Sequence, residues 1–102
     1  MSRGLGEAYF LDLFGDACNS LGRYDEAIVA LTRAVQVFKE HGMHCAHAVG
    51  LFKLAQSHLA LQHHRQAIGY LEECLPIFHG LHLPASAERA QAALQACLLT
   101  LA

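Results

Sequence analysis

The stretch HGMHCAH places His41, His44, Cys45 and His47 within seven residues, and His79 and His82 follow further along. Imidazole with thiolate suits zinc or another borderline metal. The spacing matches no standard structural zinc pattern, and His44 and His47 share a helix face without a second ligand pair. Solvated junction histidines are therefore the preferred reading; a metal- or small-ligand-responsive regulatory domain is the alternative. No Ser, Cys or Lys has a partnered base at motif spacing, and neither HExxH nor a glycine-rich phosphate loop occurs. The expectation is a non-enzymatic protein with no cofactor. Cys18, Cys45, Cys74 and Cys97 never form a CxxC pair. Three of them fall on apolar helical stripes, where cysteine packs as a small hydrophobe, so structural thiols are expected rather than a disulfide framework.

The elements that must position these residues are helical. Apolar residues recur at three- and four-residue spacing, and no stretch alternates with period two. Five helices are predicted, over 5–20, 24–41, 44–61, 64–79 and 85–101. Gly22, Gly42, Gln62-His63 and the segment from Gly80 to Pro84 mark the turns. Asp25 and Glu26 suit a helix N-terminus, and Pro84 suits a first helical position. Pro76 falls inside the fourth helix, where it removes the hydrogen bond to the Glu72 carbonyl and is expected to kink or shorten it.

A chain of 102 residues supports one domain, 1–102. Its formal net charge of −2 offers no basic footprint for nucleic acid. No window approaches the roughly 18 apolar residues of a membrane span, and MSRGLGEAYF lacks a signal-peptide core. A soluble cytoplasmic protein is expected.

Residues 21–38, LGRYDEAIVALTRAVQVF, return forty positions later as LQHHRQAIGYLEECLPIF. Leu21/Leu61, Ala27/Ala67, Ile28/Ile68, Leu31/Leu71 and Phe38/Phe78 are identical, whereas almost every polar residue has changed. A repeated buried face with a variable surface marks stacked helical hairpins, which bury their faces only against neighbours. The units run over about 5–41 and 44–80, with a capping helix at about 85–101. Two units and a cap lie near the lower limit of stability for such arrays, a size that also fits a fragment of a longer one.

These residues resemble the tetratricopeptide repeat. Unit one supplies Leu11, Phe14-Gly15, Cys18, Leu21-Gly22, Tyr24, Ala27, Leu31 and Ala34-Val35; unit two supplies Leu51, Leu54-Ala55, His58, Leu61, His64, Ala67, Leu71 and Cys74-Leu75. The spacing is longer than the usual repeat of about 34 residues, similar to extended variants of the family. The resemblance implies an all-α solenoid of antiparallel hairpins, with Phe14, Ala27, Leu31, Leu54, Ala67 and Leu71 buried and Gly15 permitting close helix approach. Cys18 and His58 replace the family's aromatic, which implies a smaller packing knob. The implied function is a scaffold binding a protein or peptide along a concave groove. That groove would display Tyr9, Asp12, Asp16 and Asn19 from unit one and Val49, Phe52, Lys53, Gln56 and Leu59 from unit two. Asp12 and Asp16 stand where a carboxylate clamp needs Lys and Asn, so a ligand with a basic residue there and an apolar one at Phe52 is expected.

The end of the chain, AALQACLLTLA, has only Gln95 and Thr100 as polar residues. The stripe Ala87, Ala90, Leu94, Cys97 and Leu101 is expected to pack on the preceding hairpin. Leu98 and Leu99 are left over, and a homodimer through this helix is expected to cover them.

Overall fold

Each of the first four helices ends in a three-residue turn built from one pair of backbone hydrogen bonds. At the first, Arg23 N–H donates to the Cys18 carbonyl at 2.8 Å and Gly22 N–H to Asn19 at 3.1 Å. Met43 to Phe38 with Gly42 to Lys39, His63 to His58 with Gln62 to Leu59, and Leu83 to Phe78 with His82 to His79 repeat the pattern. This is the Schellman closure, whose penultimate residue must be left-handed. Residues 22, 42, 62 and 82 have φ of +77°, +68°, +64° and +56°. Only the first two are glycine. The fourth turn therefore pivots on His82; Gly80, expected to open it, is the last helical residue.

The computed structural model describes residues 4–101. It contains α1 (Leu5–Ser20), α2 (Tyr24–Glu40), α3 (His44–Ala60), α4 (His64–Gly80) and α5 (Pro84–Leu101), in agreement with the expected helices to within one residue. Each helix packs on the next and α1 also meets α3, so odd-numbered helices line one side of a 45 × 31 × 19 Å body. Pro76 does not shorten α4, which has 17 residues like α2.

The repeated apolar positions form the core. Ala27, Leu31, Leu54, Ala67 and Leu71 are buried in one continuous cluster with Cys74, Phe78, Ala90 and Cys97. A satellite cluster of Ala8, Ala34, Val37 and Phe38 joins α1 to α2. Gly15 has the expected role: a Cβ there would lie 2.5 Å from Leu31 Cγ. Gly50 has the same role unforeseen, since its Cβ would stand 2.6 Å from Val35 Cγ2.

Three apolar residues depart from the expected burial. Phe14 is exposed, although its counterpart Leu54 is buried, because α2 covers α3 whereas no described residue covers the corresponding side of α1. Leu21 is exposed at the turn, outside the packed helix faces. Leu101 is exposed because the buried stripe of α5 ends at Cys97.

Candidate functional site

The seam between α1 and α3 carries the ion pairs that join non-consecutive helices. Asp12 and Asp16 lie one turn apart on one face of α1, and Lys53 of α3 reaches between them. Its Nζ is 2.9 Å from Asp12 Oδ2 and 3.1 Å from Asp16 Oδ2. Burial opposes the Lys53 charge, but the hydrogen bonds and charges of the two carboxylates outweigh it and raise its pKa above the ordinary value. The acidic pair is thus already matched by one cation of its own chain. One turn further, the buried Ser57 hydroxyl donates to Asn19 Oδ1 at 2.7 Å.

Toward α5 the seam turns apolar. The Arg89 guanidinium stands over the Phe52 ring, 5.1 Å from its centroid, a favourable cation–π placement. Val49, Phe52, Phe78, Ser86 and Arg89 line a small cleft there. Asp16, Asn19, Ser20, Tyr24, Gln56 and Ala60 line a polar one at the other end. Tyr9 lies at the edge, its ring tilted against Phe38 at 5.0 Å.

Of the residues read from the sequence as a groove, Asp12, Asp16, Asn19, Val49, Phe52, Lys53 and Gln56 lie along this seam, with two additions. Ser57 was legible only as a polar residue in an apolar stripe, one turn beyond Lys53. Arg89 had no signal, because a lone arginine on a capping helix does not announce the ring beneath it.

The histidines are scattered. Among the described residues no three His, Cys, Asp or Glu side chains come together as a metal set. His44 and Cys45 are exposed on α3, and His79 and His82 are exposed at the end of α4. His47 is buried, against the solvated reading, with Nε2 3.6 Å from Glu73 Oε2. Desolvation depresses its pKa despite the Glu73 charge. His58 keeps a ring's packing role: it stacks on Tyr70 at 5.5 Å, and its Nδ1 lies 3.1 Å from His63 Nδ1. Cys18, Cys74 and Cys97 are buried and all four thiols are free. Burial pushes Cys74 up to about 11 and raises Cys97 as well, so both stay protonated and unreactive.

The tetratricopeptide repeat family model matches residues 3–78. The chain belongs to the tetratricopeptide repeat family. The regulatory protein AfsR of Streptomyces griseus is 34% identical over 73 residues, which cover 72% of this chain and 8% of that protein. Against the tetratricopeptide pattern, Gly15 and Ala55 are the small residues of the first helices, and Ala27 and Ala67 those of the second; all four are buried. Tetratricopeptide repeats build protein-interaction surfaces. No helix among the described residues is long and apolar enough to cross a membrane.

Proposed function

We propose that this chain is a non-enzymatic interaction module that holds a peptide segment of a protein partner along the α1/α3/α5 groove. The supporting observation is the order of chemistry along that seam: Asp16, half exposed beside Lys53, then Gln56, then Phe52 capped by Arg89. Two carboxylates against one ammonium leave a net negative end, and Arg89 makes the other end positive. The ligand that fits presents a basic residue to Asp16, an apolar residue to Phe52 and an acidic group to Arg89. The resemblance of the repeats to part of a longer regulatory protein supports a role as a module of a regulator or adaptor. Amide chemical-shift mapping with a peptide selected from a random library tests the site. Shifts should concentrate on α1, α3 and α5; shifts confined to the exposed faces of α2 and α4 would overturn it.

The exposure of Leu98 and Leu99 (48% and 77%) supports self-association through α5, a reading that competes with the interface inferred below. Sedimentation of Leu99→Glu beside the native chain tests it: a dimer lost in the variant supports it, and an unchanged mass rejects it.

A further inference from the structure

A run of exposed apolar residues lies at the opposite end of the stack, on the outer side of α1 and α2. Phe10, Leu13, Phe14, Ala17 and Leu21 follow one helical stripe, and all are exposed. The Phe10 and Phe14 rings stack 6.3 Å apart. Forty residues on, α3 places Gly50, Lys53, Leu54, Ser57 and Leu61 at the equivalent positions. There the preceding helices cover the stripe: Gly50 abuts Val35, Lys53 meets Asp12, and Ser57 meets Asn19. On α1 the same side is exposed among the described residues and is more apolar.

A hairpin stacked there as α1 and α2 stack on α3 would meet Phe10 at the position where α3 presents Gly50 to Val35. The cleft on this side suggests a different cover. Leu11, Phe14, Val29 and Ala30 form its floor, with Glu26 at one end and Arg33 at the other. Glu26, Val29-Ala30 and Arg33 share one stripe of α2, and seven residues of helix span about 10 Å. Arg33 makes no ion pair among the described residues, and Glu26 has only the exposed Arg23, at 2.9 Å.

This arrangement is self-complementary. A two-fold axis between Val29 and Ala30, with α2 antiparallel to its copy, sets Glu26 opposite Arg33 twice and apolar against apolar between them. Such reciprocity defines an isologous interface. We propose that this face binds a second copy of the chain, through antiparallel α2 helices flanked by Phe10 and Phe14 of each copy. Around Leu98 and Leu99 the neighbouring polar residues, Gln95 and Thr100, carry no charge and define no such register. The inference is independent of the groove reading, because the groove lies on the opposite side of α1.

Sedimentation equilibrium of the full chain at micromolar concentration should give twice the 11.1 kDa monomer mass. Val29→Glu, at a site already 65% exposed, should give a monomer with unchanged helical circular dichroism. Glu26→Arg or Arg33→Glu alone should weaken the dimer about tenfold, and the two together should restore it to within about threefold. Leu99→Glu should leave it intact. A monomeric native chain, a dimer lost only in Leu99→Glu, or a failure of the double exchange to restore association would each overturn the proposal.

Discussion

Lys53 of α3 holds its ammonium 2.9 Å from the Asp12 carboxylate of α1, and both side chains are more than four-fifths withdrawn from water. The pair ties two helices that are not neighbours in the chain. Lys53→Met should cost about 1–3 kcal/mol, because Asp12 and Asp16 are left facing each other without a counter-charge. Adding Asp12→Leu should recover most of that loss. Urea denaturation of the single and double variants gives the coupling directly; additive losses would show that the pair is not coupled.

Glycines separate into two kinds. Gly15→Ala should destabilise by about 1–3 kcal/mol, since the new methyl meets the Leu31 branch at 2.5 Å. Gly69→Ala, with nothing within 4 Å of its Cβ, should instead stabilise by about 0.5–1 kcal/mol. Ala67→Phe should behave like Gly15→Ala, as its site is fully buried. Thermal melting of the three variants checks the signs; an unchanged melting temperature in Ala67→Phe would contradict the hairpin register.

The four identical turns predict that glycine is missed where it is absent. Gln62→Gly and His82→Gly should each stabilise by about 0.5–1 kcal/mol, because both residues occupy left-handed backbone. Melting curves should shift upward for both, and a downward shift in either would indicate that the lost side chain matters more than the turn.

His47 makes stability depend on pH. Its folded pKa is depressed by burial below the ordinary 6.5, so at neutral pH the ring is neutral in both states and stability is undiminished. As pH falls below 6.5, the unfolded chain takes up the proton first, and stability declines until pH passes the folded pKa. His58, depressed by burial and by His63, adds to the same decline. Melting temperatures between pH 7.5 and 5 should fall more steeply in the native chain than in His47→Gln.

The period of the apolar residues made the helices legible, since burial needs only the right spacing, and Leu31, Leu71, Ala27 and Ala67 fall where that spacing puts them. Phe14 was misread because the period describes an average repeat, and among the described residues the neighbour that covers Leu54 has no equivalent over α1. The left-handed role of His82 was hidden because glycine usually signals it. At the seam, Asp12, Asp16 and Lys53 could be assigned to one side, but that one lysine serves both carboxylates depends on side-chain reach between helices. Arg89 over Phe52 was illegible for the same reason.

The groove is tested most directly by calorimetric titration of a library-selected peptide into the native chain, Asp16→Lys, Arg89→Glu and the control Glu72→Lys on α4. Asp16→Lys and Arg89→Glu should each weaken binding by about tenfold or more, and Glu72→Lys should leave it unchanged. Affinity retained in both groove variants, or lost in Glu72→Lys alone, would contradict the assignment of the binding face.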